Sequence, residues 1–288
     1  MRLGQIRQGD RLVAVIVGQK TGRFKDVWEV RPMSDPWSLV DVIQRAEASS
    51  VALTAFAKSH ATDPAEAELE IPISPVEVWA AGSTYKASSS GRDAEHKASG
   101  GLHSRVYESE RPELFFKGTA RTCVGSGAPI GLRMDAKLTT PEPELAIVLG
   151  LHGSLLGYTL ANDVSARDIE RENPLYLPQS KVYTASCALG PVVVTADEIE
   201  DPYALELRCR IERSGETVFD ESSSTARMNR KIEDIVQFLC RSNPVPGGSV
   251  LCTGTGIMVS EDKSLQPGDI VTIECPAIGT LTNVVAIV

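Results

Sequence analysis

The sequence predicts a mixed α/β protein that is rich in β-strands, with a small α+β domain at residues 1–72 and a larger domain at 73–288. Short apolar runs of strand length, separated by Gly and Pro turns, are far more numerous than segments with apolar residues at helical spacing. The extended connector Ile71-Pro72-Ile73-Ser74-Pro75 marks the boundary, because proline fixes φ and excludes helix. Strands and helices do not alternate regularly, which argues against a doubly wound nucleotide-binding fold.

The first domain combines strand and helix signals. The run from Arg11 to Val17 is β-type and is followed by a turn around Gly18 to Gly22. Pro36-Trp37-Ser38 then opens a helix, because Leu39, Ile43 and Ala46 fall on one face at i, i+4 and i+7.

The second domain is mostly β. One helix is predicted after Ser224-Thr225, with Ile232, Ile235, Val236 and Leu239 on one stripe, and it ends before Pro244. The predicted strands are Leu145 to Leu149, Leu156 to Ala161, Pro191 to Thr195, Leu205 to Glu212 and Asp269 to Glu274.

Composition narrows the function classes. The 288 residues carry 29 Lys and Arg against 38 Asp and Glu, a formal charge of −9, which argues against binding a nucleic acid backbone. No apolar run reaches the length of a membrane helix, so no membrane partner is expected. The six cysteines form no C-x-x-C pair, which favours core packing in a reduced cytoplasmic protein.

Residues 86–111 form a polar insertion with three consecutive serines and a Gly100-Gly101 pair. Such a segment is either an exposed loop or surface helix, or a mobile lid over an active site.

Glu142 and Glu144 carry the strongest chemical signal. In a strand, positions i and i+2 project from one face, about 7 Å apart. Two carboxylates this close need water, protonation or a cation, and their oxygens suit Mg²⁺, Mn²⁺ or Ca²⁺. A charged solvent face of a strand is the plain alternative. Asp163 ends the next strand, Leu156 to Ala161, where it is either a ligand or a turn or N-cap residue.

In combination, these motifs resemble the fumarylacetoacetate hydrolase family over roughly residues 75–288. The similarity lies in Pro141-Glu142-Pro143-Glu144, Gly157-Tyr158-Thr159, the stretch from Asn162 to Asp168, Lys181 and Gly190-Pro191, Thr253 to Ile257, and Gly279 to Asn283. The resemblance implies a roll-like β fold in the C-terminal domain, a metal held by Glu142, Glu144 and Asp163, and a lysine beside it, Lys181. It also implies that Gly254 and Thr255 hold a substrate carboxylate, and that the protein is a homodimer or homotetramer.

The sequence departs from the hydrolases of this family at Gly82 to Ser88. Their Gly-x-Asn-Tyr-x-x-His motif is followed by a glutamate, and this His–Glu pair activates water. Here the matching residues include Ser83, Thr84 and Tyr85, which we assign to substrate binding, but Ser88 replaces the histidine and Gly91 stands for the glutamate. His96 beside Glu95 has the wrong spacing to substitute.

A different branch fits better, the dehydratases of 2-keto-3-deoxy sugar acids. The stretch from Glu170 to Tyr183 and the stretch from Arg111 to Lys117 are similar to it. The implied reaction is Mg²⁺-dependent dehydration of a small anionic 2-oxo acid, for example 2-keto-3-deoxy-D-arabinonate, to 2,5-dioxopentanoate. The alternatives are hydrolysis or decarboxylation of an acylpyruvate-like acid, and a catalytically silent metal- or ligand-binding relative.

Two residues are candidates for proton transfer. Lys181 is the candidate base, because a nearby cation would lower the pKa of its ammonium group; the alternative is a surface cation or an ion-pair partner of the carboxylates. Glu113 is a candidate acid or base, or else forms a salt bridge with Arg111 or Lys117. Arg92 is expected to be exposed unless it pairs with a substrate carboxylate.

Overall fold

The computed structural model describes residues 1–21, 27–95 and 101–288. The helices are α1 Leu39–Ala48, α2 Leu53–His60, α3 Lys86–Glu95, α4 Leu102–Glu108, α5 Arg167–Glu172, α6 Leu177–Lys181 and α7 Ile232–Cys240. The strands are β1 Arg2–Gln8, β2 Arg11–Lys20, β3 Val27–Pro32, β4 Ala65–Glu68, β5 Val78–Gly82, β6 Glu113–Gly118, β7 Cys123–Val124, β8 Ile130–Leu132, β9 Thr139–Thr140, β10 Pro143–Leu149, β11 Leu155–Asp163, β12 Ser165–Ala166, β13 Cys187–Thr195, β14 Glu206–Arg213, β15 Glu216–Ser224, β16 Ser249–Cys252, β17 Ile270–Cys275 and β18 Gly279–Ile287.

A large sheet forms the centre of the molecule. Its strands follow the order β4-β3-β2-β1-β13-β11-β10-β16-β5-β6, and β7 pairs with β13 off this path. A five-stranded sheet has the order β15-β14-β17-β18-β8, and β9 pairs with β12. The predicted strand-rich, mixed α/β class is therefore confirmed.

The strands of residues 1–72 belong to this large sheet. Arg2 pairs with Val194 and Leu3 with Val193, so β1 lies antiparallel beside β13. The N-terminal and C-terminal segments thus share one sheet, and the division at residue 72 stays a prediction.

Strand β10 shows how the large sheet is covered on both faces. Leu145, Ile147 and Leu149 belong to the core shared with the five-stranded sheet. Ala146 and Val148 belong to the core under α1 and α2. This alternation follows from the two-residue period of a strand, and it buries every residue of β10.

The predicted helices form with small differences at their ends. Leu39, Ile43 and Ala46 are buried on α1, and Ser38 caps it by accepting from the N–H of Asp41, whose carboxylate accepts from the Ser38 N–H. Helix α7 begins at Ile232, later than Ser224-Thr225 indicated. In the described ranges, no helix is both long and apolar enough to span a bilayer.

Candidate active site

Three carboxylates meet where β10 and β11 run side by side. Glu144 pairs with Ala161 across the two strands, and the backbone N–H of Asp163 donates to the Glu142 carbonyl at 2.9 Å. One carboxylate oxygen from each of Glu142, Glu144 and Asp163 lies within 4.8 Å of the others, and all three residues are buried. The strand register thus brings together the three residues that were predicted to be metal ligands.

Basic side chains surround the Glu142 carboxylate, whereas Glu144 lies beside other carboxylates, so their pKa values shift in opposite directions. Burial alone would raise the pKa of Glu142, but Arg92, Lys181 and Arg167 outweigh it and hold that pKa well below its usual range. Burial and the neighbouring Asp163 and Glu142 carboxylates raise the pKa of Glu144 well above its usual range. Glu144 Oε2 accepts from an uncharged donor, the backbone N–H of Gly254, at 2.6 Å.

This donor set fits a hard divalent cation. Glu144 is 1% exposed and stands beside two like charges, a costly arrangement that a cation would relieve. Carboxylate oxygens are the ligands that Mg²⁺ prefers, so Glu142, Glu144 and Asp163 would hold it. Their role as ligands stays a prediction, although the buried acidic triad itself is present.

Lys181 is fully buried and in contact with two of these carboxylates. Its Nζ donates to Asp163 Oδ2 at 3.0 Å and to Ser165 Oγ at 2.5 Å, and it lies 3.1 Å from Glu142 Oε1. The surface-cation alternative is therefore wrong. Burial lowers its pKa, but Asp163 and Glu142 outweigh burial and raise it, opposite to the effect expected from a neighbouring cation alone.

Lys117 is a second buried lysine, and its part in the site was not predicted. Its Nζ lies 2.7 Å from Asp163 Oδ1 and donates to the carbonyls of Val164 and Lys181 at 3.0 and 2.6 Å. The proposed Lys117–Glu113 salt bridge is wrong, because the ammonium group of Lys117 is committed to Asp163. The available signal was a lysine at the end of an apolar strand, Leu114-Phe115-Phe116.

The insertion reaches the carboxylates through Arg92 on α3. Its Nη2 donates to Glu142 Oε2 at 2.7 Å, and its Nη1 lies 3.6 Å from Glu170 Oε1. Arg92 is 3% exposed, so the expected exposed arginine is wrong. Arg92 thus joins α3 to the site; whether the insertion acts as a lid stays a prediction.

Arg167 and Glu170 on α5 complete the charged cluster. Arg167 Nη1 lies 3.5 Å from Glu142 Oε1. Burial raises the pKa of Glu170, but Arg167 and Arg92 outweigh burial and lower it to about 2. Among the described residues, the cluster holds four carboxylates and four basic groups: Glu142, Glu144, Asp163 and Glu170 with Arg92, Lys117, Arg167 and Lys181. A divalent cation would leave these groups with a positive net charge that suits an anion.

The two predicted substrate-binding segments lie against each other. Thr84 Oγ1 donates to the Thr253 carbonyl at 2.7 Å, next to Gly254. They meet because β5 and β16 are parallel neighbours, with Ala80 opposite Cys252. Gly254 has φ +94°, and a Cβ there would collide with Thr84 Oγ1.

Tyr85 and Thr255 are buried in the same region. Burial and the nearby Glu144 carboxylate raise the pKa of Tyr85 above its usual range. Thr255 Oγ1 accepts from the N–H of Ile257 and donates to the carbonyl of the same residue, both at 3.2 Å. Tyr85 thus lies near Glu144, and the substrate-binding role of both residues stays a prediction.

Glu113 lies opposite Gly82 at the start of β6. A Cβ at Gly82 would overlap the Glu113 carboxylate, so glycine makes room for it. Glu113 Oε2 accepts from Ser83 Oγ at 3.2 Å. Burial raises the pKa of Glu113, with Arg92 opposing and Glu170 reinforcing that rise.

The positions that depart from the hydrolase motif hold no base. Ser88 is buried, and its Oγ donates to the Tyr85 carbonyl at 2.9 Å. Gly91 has Met258 as its near neighbour. His96 lies outside the described residues.

Fold and site together define a metal-dependent enzyme built on a strand-rich α/β scaffold. Residues 78–286 match the model of the fumarylacetoacetate (FAA) hydrolase C-terminal domain, and the chain belongs to the fumarylacetoacetate hydrolase family.

The curated relatives include sugar-acid dehydratases. The chain is 49% identical over 213 residues to the 2-dehydro-3-deoxy-D-arabinonate dehydratase of Saccharolobus solfataricus, covering 73% of this chain and 72% of that protein. It is 44% identical over 242 residues to a probable 2-keto-3-deoxyxylonate dehydratase of Haloferax volcanii, covering 84% and 80%.

A solved structure of 2-keto-3-deoxy-D-arabinonate dehydratase, complexed with magnesium and 2,5-dioxopentanoate, superposes with a TM-score of 0.81. It is 36% identical to this chain, and the match covers 100% of this chain and 99% of that one. The predicted family and its dehydratase branch are confirmed.

Proposed function

We propose that this protein is a Mg²⁺-dependent dehydratase that converts a 2-keto-3-deoxy sugar acid, such as 2-keto-3-deoxy-D-arabinonate, to 2,5-dioxopentanoate. The observation that carries the proposal is the buried triad Glu142, Glu144 and Asp163, with Lys181 Nζ 3.0 Å from Asp163 Oδ2. The dehydratase relatives and the magnesium- and product-bound structure support the same reaction.

Glu142, Glu144 and Asp163 would hold Mg²⁺, which would supply Lewis-acid polarisation of the substrate ketone and so make the carbon 3 protons more acidic. In its neutral form, which the positive charge of a bound cation would favour, Lys181 takes a proton from carbon 3 on its Nζ. Glu113 donates a proton to the hydroxyl on carbon 4, which leaves as water. The unsaturated product tautomerises to the 5-aldehyde.

Glu113 suits the acid role because burial raises the pKa of its carboxyl group, which keeps it protonated over a wider pH range. The Ser83 hydroxyl donates to Glu113 Oε2, so Glu113 Oε1 remains for the substrate. Gly254 and Thr255, next to Glu144, hold the substrate carboxylate. Ser83, Thr84 and Tyr85 lie beside them and bind the rest of the substrate.

Hydrolysis of an acylpyruvate-like acid is the second candidate. It needs a base for water, but Ser88 stands in the histidine position and its hydroxyl is committed to the Tyr85 carbonyl. A silent relative is the third candidate, and the retention of both Lys181 and Glu113 beside the carboxylates argues against it.

The test compares two substrates with the same Mg²⁺-loaded protein. We expect release of 2,5-dioxopentanoate from 2-keto-3-deoxypentonate and negligible cleavage of fumarylpyruvate. Activity on the acylpyruvate alone would reject the dehydratase assignment. Activity on neither substrate would favour the silent relative.

We also infer a cytoplasmic homodimer or homotetramer. All six cysteines are free, and four of them are buried, as expected in a reducing compartment. Size-exclusion chromatography with light scattering gives the oligomeric state.

A further inference from the structure

We propose that His103, on helix α4 of the insertion, is a positioning residue for Glu113 and acts through the Ser83 hydroxyl. The proposal rests on the proposed function only in taking Glu113 as the proton donor. The chain of contacts from His103 to Glu113 stands on geometry alone, so it can be tested separately from the reaction.

Ser83 links the two side chains directly. Its Oγ lies 3.2 Å from Glu113 Oε2 and 3.4 Å from His103 Nδ1. Ser83 follows β5 with φ +53°, a conformation unusual for a residue other than glycine. Ser83 and His103 are 2% and 8% exposed, so water has little access to this contact.

The single hydrogen of the Ser83 hydroxyl determines the direction of these contacts. Because Ser83 donates to Glu113 Oε2, its Oγ can only accept from His103, and Nδ1 must carry the imidazole proton. His103 thereby prevents the hydroxyl from turning away. Oε2 is then always an acceptor, so the acidic proton of Glu113 resides on Oε1.

His103 is held in place by the first helix of the insertion. The two carboxylate oxygens of Asp93, on α3, accept from the backbone N–H groups of His103 and Ser104 at 2.9 and 2.8 Å. Burial and the nearby Arg92 lower the pKa of the imidazole, which keeps it neutral at pH 7. A neutral ring can present one N–H and fix the Ser83 hydroxyl.

Other charged groups face the pair from the elements around it. They are Arg92 and Asp93 on α3, Arg167 and Glu170 on α5, and Lys181 on α6. Substitution of His103 by a neutral side chain leaves all five in place. A change in the Glu113 pKa would then report the loss of the hydrogen-bond chain rather than a change in nearby charge.

The test measures the Glu113 pKa by ¹³C NMR in Mg²⁺-loaded protein labelled at glutamate Cδ, with the resonance identified by its loss in Glu113→Gln. His103→Leu removes the donor, whereas His103→Asn places an amide N–H near the position of Nδ1. His152→Asn, at an exposed histidine with φ +57°, is the matched control.

We expect His103→Leu to raise the Glu113 pKa by about half a unit or more, because the ionised form loses support. The same variant should lower kcat for dehydration by roughly tenfold with little change in KM. His103→Asn should restore both values, and the control should change neither.

An unchanged Glu113 pKa in folded His103→Leu would overturn the proposal, as would equal loss of kcat in the Leu and Asn variants without any pKa shift. If His103→Leu does not fold, Ser83→Ala is measured in its place. It removes the hydrogen bond to Glu113, so an unchanged Glu113 pKa in that variant would likewise overturn the proposal. An inactive wild-type protein would reject the dehydratase assignment and leave the NMR result to be judged alone.

Discussion

The ammonium nitrogen of Lys117 lies 2.7 Å from Asp163 Oδ1, with both side chains fully buried. On its other oxygen, Asp163 accepts from Lys181 at 3.0 Å. Two lysines thus hold one carboxylate of the triad, and Lys117 also ties the backbone at Val164 and Lys181 to β6. Lys117 therefore fixes where Asp163 and Lys181 stand relative to each other.

Replacing Lys117 with methionine should destabilise the protein. The change leaves the buried Asp163 carboxylate with one cation and deprives two carbonyls of their donor, so the free energy of unfolding should fall by about 3 kcal/mol. Urea unfolding measures it. Lys263→Met, at an exposed pair with Asp262, should change it by less than about 0.5 kcal/mol. Equal effects of the two substitutions would contradict a structural role for Lys117.

Glu144→Gln should abolish the response to Mg²⁺ while keeping the fold. In wild-type protein, Mg²⁺ should raise the melting temperature, because it binds the folded state alone. Glutamine removes the ligand charge and the repulsion from Asp163 and Glu142, so the metal-free variant should be at least as stable as wild type. Differential scanning calorimetry with and without Mg²⁺ tests this, with the exposed Glu216→Gln as control. A persisting Mg²⁺ shift would remove Glu144 from the ligand set.

Glu170→Gln should destabilise the protein at neutral pH but not in acid. The folded-state pKa of Glu170 is about 2, below the ordinary value of 4.5. A depressed pKa stabilises the fold above the unfolded-state pKa, and this contribution is lost as pH falls from 4.5 towards 2.

The stability difference between wild type and Glu170→Gln should therefore narrow across that window. Unfolding by urea at pH 7, 5 and 3.5 provides the measurement. Glu172→Gln, exposed on the same helix, should show no such trend. A difference that stays constant with pH would refute the charge pairing with Arg92 and Arg167.

Lys181→Met should bind Mg²⁺ and yet lose turnover. The three ligands remain, so the Mg²⁺-induced rise in melting temperature should persist, while the rate should drop at least about 100-fold without the base. Lys58→Met, exposed on α2, should retain full activity. A near-normal rate in Lys181→Met would leave the base at another residue.

Local patterns in the sequence predicted much of this architecture. The Leu39, Ile43 and Ala46 stripe predicts α1, and the two-residue period predicts that Glu142 and Glu144 share a face. The family resemblance implied Asp163 as the third ligand, but spacing alone could not establish the β10–β11 register that brings it beside them.

Contacts between residues far apart in the sequence could not be predicted from local patterns. Arg92 reaches Glu142 across 50 residues and Lys117 reaches Asp163 across 46, so neither pairing has a local signature. Charged side chains are usually exposed, which made an exposed Arg92 the natural expectation. The pairing of β1 with β13 likewise depends on a register across about 190 residues.

The most direct test of the account is proton NMR of 2-keto-3-deoxypentonate incubated with the Mg²⁺-loaded protein. We predict the loss of the carbon 4 signal together with the appearance of the aldehyde of 2,5-dioxopentanoate, and no such change when Mg²⁺ is chelated. Pyruvate with a two-carbon aldehyde would instead show cleavage between carbons 3 and 4. That result would contradict carbon–oxygen lysis at this site.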